Sequence, residues 1–228
     1  MVVLYIKNML IAGIDEAGRG PLIGPMVMVG VSIKDVDEAL LKKVGVKDSK
    51  LLSQRQREEI YEQIEKLAKD YKIIKVEAKE VDEVLEGTKS NLNWLEADKT
   101  IEILAKLKPD KAYVDCPSIN EKAYEEYLRK GLEKKGLKKM ELVVEHKADV
   151  NYPVASAASI IAKVVREQEI EKIKIKINKN FGSGYPSDPY TQRFLEKYWD
   201  KFPEIFRRSW SSYKKLVEKK KQKSLGEF

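Results

Sequence analysis

Apolar residues recur along the chain at two periods, and the changes between them sketch a fold. Leu10–Asp15 and Met26–Ile33 are strand-length apolar runs, joined by a Gly/Pro-rich turn through Gly18, Gly20, Pro21, Gly24 and Pro25. Strands this close in sequence favour an antiparallel pair. Ser53–Asp70 reads as a helix: Ser53 and Gln56 have capping-box spacing, and Ile60, Ile64, Leu67 and Ala68 keep to one face. Tyr71–Ala78 alternates as a third strand. Leu92–Leu107 returns to helical spacing and stops before Pro109, and Lys111–Asp115 is a short strand ended by Cys116-Pro117. Ser118 and Glu121 mark the cap of a further helix with Ala123 and Tyr127 on one face, and Met140–Glu145 is the fifth strand. Strand, helix and strand in succession imply a parallel pair with a right-handed crossover. After Asn151 and Pro153 a long helix begins, rich in small residues (Ala155, Ala157, Ala158, Ala162), and Ile170–Ile177 also reads as helical. Beyond Phe181 come a Gly-Tyr-Pro turn, more helices and a Lys-rich end. The pattern predicts an α/β protein: a mixed five-stranded sheet flanked by helices, with a C-terminal helical extension.

Composition narrows what such a fold can do. At 228 residues and 43% hydrophobic, the chain can bury a core of ordinary size. No apolar run reaches the length of about 18 residues that a membrane span requires, and Met1–Leu10 reads as the lead-in to the first strand, not a signal peptide. One cysteine, Cys116, excludes an internal disulfide framework and a cysteine-built zinc site, and suits a reducing cytosol. Cys116 and the single histidine, His146, read as packing residues on or beside strands. The net charge of +7 is compatible with a polyanionic partner, although much of the excess lies in tail lysines such as Lys214, Lys219 and Lys221. The Lys/Glu-rich surface resembles that of thermophilic proteins.

With so little His and Cys, the chemistry must lie elsewhere. Acidic residues stand at strand ends: Asp15-Glu16 after the first, Asp115 after the fourth, Asp149 just past the fifth. Carboxylates brought to one sheet edge repel each other, so such a cluster calls for divalent cations. Oxygen ligands favour Mg²⁺ or Mn²⁺ over zinc. Adjacent strand residues point to opposite faces, so Asp15 and Glu16 are expected to share a site only if the chain leaves the sheet there, with Ala17-Gly18-Arg19-Gly20-Pro21 as the exit. The spacing of Gly13 and Gly18 imitates a phosphate-binding loop, but no Lys-Ser/Thr follows and Asp15-Glu16 would repel phosphates.

Several ordered blocks resemble ribonuclease HII, from about Ile11 to Tyr213. Gly13-Ile14-Asp15-Glu16-Ala17-Gly18-Arg19-Gly20 matches its signature. Asp48-Ser49-Lys50-Leu51 with Arg57-Glu58, Asn91-Leu92-Asn93 with Leu95-Glu96, and Val114-Asp115 follow. Then come Lys147-Ala148-Asp149 leading to Tyr152-Pro153 and Ser156-Ala157-Ala158-Ser159-Ile160, then Gly182-Ser183-Gly184-Tyr185-Pro186, then Arg207-Arg208-Ser209-Trp210. Glu167 departs from the family's usual Asp. The resemblance implies a ribonuclease H-like fold with Asp15, Glu16, Asp115 and Asp149 as catalytic ligands for two Mg²⁺ or Mn²⁺ ions. It implies that Gly18, Arg19 and Gly20 read the ribose 2′-OH, and that Tyr185 packs on a sugar beside the scissile phosphate. The implied activity hydrolyses RNA in RNA/DNA hybrids and cuts 5′ of ribonucleotides embedded in duplex DNA. Its products carry 5′-phosphate and 3′-OH ends, as two-metal hydrolysis leaves them. Two other classes stay open on the residues alone: a resolvase-like nuclease of the same fold, which would not need the Gly18-Arg19-Gly20 reader, and a non-catalytic nucleic-acid-binding module.

Further residues carry lesser expectations. Ser156, Ser159, Lys163 and Arg166 share one face of the long helix and form a polar stripe directed at phosphates, with Lys50 as another substrate contact. Trp94, Trp199 and Trp210 read as packing residues. The division expected is 1–185 catalytic domain, 186–216 helical extension completing the substrate cleft, and 217–228 basic tail. Within that tail Gln222, Leu225 and Phe228 have spacing similar to the peptide by which replication enzymes engage PCNA-type sliding clamps. Nothing in the sequence calls for an obligate oligomer.

Overall fold

The computed structural model of the protein describes residues 8–88 and 90–225, the last three by backbone alone. Its strands are β1 (Leu10–Ala17), β2 (Met26–Lys34), β3 (Asp70–Val76), β4 (Lys111–Asp115) and β5 (Glu141–Glu145). Its helices are α1 (Glu38–Lys43), α2 (Gln54–Leu67), α3 (Ala78–Glu86), α4 (Leu92–Leu107), α5 (Glu121–Lys134), α6 (Ala148–Asn151), α7 (Pro153–Ile177), α8 (Pro189–Tyr198) and α9 (Ser211–Leu225). The sheet order is β3-β2-β1-β4-β5; β1 pairs antiparallel with β2 and parallel with β4, and β4 pairs parallel with β5. The mixed five-stranded sheet is the one the apolar pattern implies. Among the described residues no helix is long and apolar enough to cross a membrane.

Local signals explain most elements. Ser53 caps α2 in a capping box with Gln56, an arrangement worth about 1 kcal/mol, and Ile60 and Ile64 are the buried residues of its inner face. Ile170–Ile177 is the continuation of one 25-residue helix, α7. Three expectations need correction. The cap of α5 is Asn120, whose side chain accepts from the Ala123 amide, while Ser118 accepts from the Asn120 amide one step earlier. The buried face of α5 is Tyr124, Leu128 and Leu132, with Tyr127 exposed. β3 ends at Val76, because Ala78 begins α3, a helix whose N-cap Glu77 makes no side-chain cap bond.

The chain divides into two compact units, each drawn from three stretches. The first takes residues up to Ala17, then Val27–Ile74 and Glu96–Val164; the second takes Gly18–Met26, Lys75–Leu95 and the chain from Val165 onward. In the first unit, Ala155, Ala157, Ala158 and Ala162 of α7 are fully buried. A Cβ on Gly13 of β1 would lie 2.3 Å from the backbone of Val154 and Ala155. Small residues on the helix and a glycine on the strand thus let backbone approach backbone. In the second unit, Leu22, Ile23, Phe181, Phe194 and Phe206 anchor a separate aromatic-rich core.

Candidate active site

The first unit assembles the carboxylates. The β1–β2 ladder runs to Ala17↔Val27, whereas the β1–β4 ladder stops at Ile14↔Val114. The chain leaves the sheet after Ala17, as expected, but the condition on Asp15 and Glu16 is corrected: both are still paired, opposite Val29 and Met28, and share a site without leaving the ladder. β1 overshoots its parallel neighbour, so both residues stand beyond the last β4 pair, at an open edge. There the longer Glu16 side chain and the shorter Asp15 side chain reach common ground: one ligand oxygen from each of Asp15, Glu16 and Asp115 lies within 4.8 Å of the others.

Asp149 arrives by another route. Lys147, two residues past the end of β5, adopts a left-handed conformation (φ 63°), turning the chain into α6, whose second residue is Asp149. The Ala148 amide donates to Asp115 Oδ1 at 2.8 Å, tying that turn to the end of β4. Asp149 is buried and faces Lys50, Nζ to Oδ2 3.6 Å, outside the tight trio. Its charge is still felt there.

The electrostatics are those of a site where negative charge outweighs positive. Burial, then the neighbouring Glu16 carboxylate, holds Asp15 well above the usual carboxylate range; a hydrogen bond from Ser159 pulls the other way. Burial, then Asp149, raises Asp115, against hydrogen bonds from the Ala148 and Lys147 backbone. Oxygen-only donors, wholly or partly buried and mutually repelling, fit hard divalent cations.

The second unit holds a different kind of structure. Gly18 has φ +82°, and a Cβ there would sit 2.5 Å from Arg166 Cδ and 2.8 Å from the Pro25 carbonyl oxygen, so only glycine fits. The loop's carbonyls are pinned from far along the chain. Arg207, fully buried, donates through Nη2 to Gly18 O (2.6 Å), through Nη1 to Arg19 O (2.7 Å) and through Nε to Gly24 O (3.2 Å). Its guanidinium lies 4.9 Å from the Trp210 ring, and Trp210 Nε1 donates to Gly20 O at 3.0 Å. Asp82 accepts from the Arg208 and Ser209 amides at 2.8 and 2.9 Å, fixing the segment that carries both donors. Arg19 itself donates to Asn93 Oδ1.

Tyr185 belongs to this same assembly. The Leu22 and Ile23 amides donate to Gly184 O, and a Cβ on Gly20 would lie 3.9 Å from Tyr185 Cε1. The tyrosine ring is 41% exposed, with the Arg166 guanidinium 5.2 Å from its centre.

The stripe on α7 is not a solvated face. Ser156, Ser159 and Arg166 are buried. Ser156 donates to Asp149 O, Lys163 donates to Ser49 Oγ, and Arg166 donates to Ser183 O at 3.3 Å. Of the tail residues, Gln222 is exposed on α9, α9 reaches Leu225, and Phe228 lies outside the described residues. Sequence reasoning gave no role to Ser49, Asp82, Asn93 or Arg207, and read Trp210 only as packing. Four of these fall inside matched blocks, which was the available signal; Asp82 had none.

Comparison with known proteins identifies the family. A sequence model of the ribonuclease HII family matches residues 12–213. The chain is 42% identical over 222 residues to ribonuclease HII of Pyrococcus abyssi, covering 95% of each protein. It superposes on the ribonuclease H2 crystal structure from Pyrococcus horikoshii with a TM-score of 0.84 at 42% identity, covering 92% of this chain and 98% of that one. The ribonuclease HII in the PCNA complex from Archaeoglobus fulgidus is also similar, with a TM-score of 0.80 and 41% identity, covering 89% and 96%. On the strength of the fold, the carboxylate cluster and these matches, the chain belongs to the ribonuclease HII family, hydrolases acting on the RNA of RNA/DNA hybrids.

Proposed function

We propose that this ribonuclease H cuts the RNA strand of hybrids and also cuts 5′ of single ribonucleotides embedded in duplex DNA, leaving 5′-phosphate and 3′-OH ends. The observation that carries the reading is the trio of buried Asp15 and partly buried Glu16 and Asp115, with Asp149 close enough to add its charge. These residues would hold two Mg²⁺ or Mn²⁺ ions. Such ions supply Lewis acidity, easing formation of the attacking hydroxide and departure of the 3′ oxygen.

The chain's own residues account for position and selectivity. Gly18, Arg19 and Gly20, whose carbonyls Arg207 and Trp210 hold in place, would read a 2′-OH, which, being donor and acceptor, is what separates ribose from deoxyribose. Pinning the carbonyls of that loop removes the entropy it would otherwise lose on binding. Tyr185, half exposed beside Gly20, offers a rigid face to the neighbouring sugar. Lys50, exposed and 3.6 Å from Asp149, would meet a phosphate arriving at the carboxylates.

The test is a duplex of DNA carrying one ribonucleotide, incubated with Mg²⁺, with Mn²⁺ and with chelator. A metal-dependent cut at the 5′ side of the ribonucleotide is expected. A product ending in a 2′,3′-cyclic phosphate would overturn the reading, because it requires the 2′-OH as nucleophile.

The tail adds a partner. The similar Archaeoglobus protein is in complex with PCNA, and Gln222 and Leu225 stand three residues apart at the end of α9, with Phe228 three beyond. We propose that these residues bind a PCNA-type clamp, helped by the preceding lysines. Deleting 222–228 should abolish clamp binding while leaving cleavage of short free duplexes unchanged; calorimetry with the clamp and an oligonucleotide assay check the two halves.

A further inference from the structure

A chain of hydrogen bonds in the first unit runs from an ammonium group to the carboxylate at the centre of the cluster. Lys163 Nζ donates to Ser49 Oγ. Ser49 Oγ and Ser159 Oγ are 2.9 Å apart, and the Ser159 hydroxyl hydrogen-bonds the Asp15 side chain. Both serines are buried, at 0% and 1% exposure, and Asp15 is at 6%.

Distance alone leaves the donor between the two serines undecided, but chemistry decides it. An ammonium has donors and no acceptor, so Ser49 accepts from Lys163 and must spend its one proton elsewhere. A carboxylate that holds a cation is ionised and only accepts, so in that state the Ser159 proton goes to Asp15, and Ser159 must accept from Ser49. Both hydroxyl protons therefore point toward Asp15. Hydrogen bonds aligned head to tail polarise one another, and the effect is larger where water is excluded.

The chain is built on rigid supports. Ser49 begins a 3₁₀ turn, Ser49–Leu51, capped by Asp48, whose Oδ1 accepts from the Lys50 amide at 2.9 Å. Arg57 Nη1 donates to Leu52 O at 2.6 Å and closes the turn from α2. Ser159 and Lys163 lie one turn apart on α7.

We propose that Lys163, Ser49 and Ser159 form a one-way hydrogen-bond chain that orients Asp15 to receive a divalent cation, which makes Lys163 a positioning residue and not a phosphate ligand. The inference rests on the metal reading given above. Groups outside the first coordination layer act in this way elsewhere: they fix the angle of a ligand and commonly change metal affinity tenfold or more when removed.

The test is Mn²⁺ binding to the full chain without nucleic acid, followed by loss of the free-ion signal in electron paramagnetic resonance. Lys163→Met and Ser49→Ala are each expected to weaken Mn²⁺ binding about tenfold. The double variant should bind no more weakly than either single one, because both break the same chain. Lys163 is only half-buried, so Lys163→Met carries the test even if Ser49→Ala does not fold. Tighter Mn²⁺ binding in Lys163→Met would overturn the proposal, showing that only the lysine's charge matters. Unchanged Mn²⁺ binding with a raised KM for hybrid would overturn it in favour of a phosphate contact. A wild-type chain that binds no Mn²⁺ would instead bring down the metal reading itself.

Discussion

The two units reach chemistry by opposite means. In the first, the proposed chemistry rests on side chains, and the side chains are uncomfortable: Asp15 is buried and Asp115 partly so, each beside further carboxylates that repel it. In the second, function is assigned to backbone, and the backbone is satisfied: the carbonyls of Gly18, Arg19, Gly20 and Gly24 all accept hydrogen bonds from side chains more than 180 residues away. One region gathers carboxylates whose repulsion a bound cation would offset, and the other has its loop carbonyls already bonded. Substitutions should therefore divide cleanly. In the first unit they should alter metal binding and turnover while sparing or even raising stability; in the second they should lower stability and selectivity together.

The largest effect belongs to Asp15→Asn. Lewis-acid stabilisation is worth several kcal/mol, so turnover on hybrid should fall by roughly a hundredfold or more. Without metal the variant should melt at or above the wild-type temperature, since a buried repelled charge has been removed. Near-normal turnover at saturating Mn²⁺, or a marked loss of stability, would contradict the division.

Arg207→Lys is the counterpart in the second unit. A lysine presents donors at one point and cannot span carbonyls that Nε, Nη1 and Nη2 now reach separately. Hydrogen bonds involving a charged group contribute about 1.5–3 kcal/mol each, so a loss of about 3 kcal/mol is expected, read by chemical denaturation. Mn²⁺ affinity should stay at the wild-type value. A parallel fall in Mn²⁺ affinity would show that the loop and the carboxylates are not separable.

A smaller effect concerns pH. Asp15 and Asp115 are raised in the fold, so between the unfolded value of about 3.9 and the folded value the native state binds more protons than the unfolded chain. Stability of the metal-free protein should then fall as pH rises through that window. Mg²⁺ should raise the melting temperature more at pH 8 than at pH 5, because the bound ion favours the ionised form. Scanning calorimetry at both values, with and without Mg²⁺, checks the sign.

The same contrast explains what could be read in the sequence. Carboxylates at strand ends announce themselves, because few other roles bring Asp15, Glu16, Asp115 and Asp149 to those positions. The convergence of Asp15, Glu16 and Asp115 was legible; its mechanism, β1 overshooting β4, was not, because ladder ends depend on which strands become neighbours. A pinned carbonyl leaves no trace, since every residue has one. An arginine in a polar segment reads as surface, so nothing distinguishes Arg207, fully buried, from its exposed neighbour Arg208. The polar stripe on α7 misled for a related reason: periodicity shows that Ser156, Ser159, Lys163 and Arg166 share a face, but not that this face turns inward toward other polar groups. Helix α3 was missed because its start lacks a capping side chain.

The finest cut is Trp210→Phe. It keeps an aromatic ring beside Arg207 and removes a single donor, the Nε1–H that reaches Gly20 O at 3.0 Å. One neutral hydrogen bond is worth about 1 kcal/mol, so the whole effect should be near fivefold, and the question is where it appears. If the bond only supports the fold, denaturation registers it and nothing else does. If it holds Gly20 where a ribose is read, the variant should lose selectivity: its affinity for a duplex with one ribonucleotide, divided by its affinity for the same duplex in all-DNA form, should drop several-fold. Because the all-DNA duplex shares every phosphate contact, that ratio cancels general electrostatic binding. A ratio equal to wild type, in a variant that melts only slightly lower, would assign the Trp210 contact to stability and leave ribose selection to the glycines themselves.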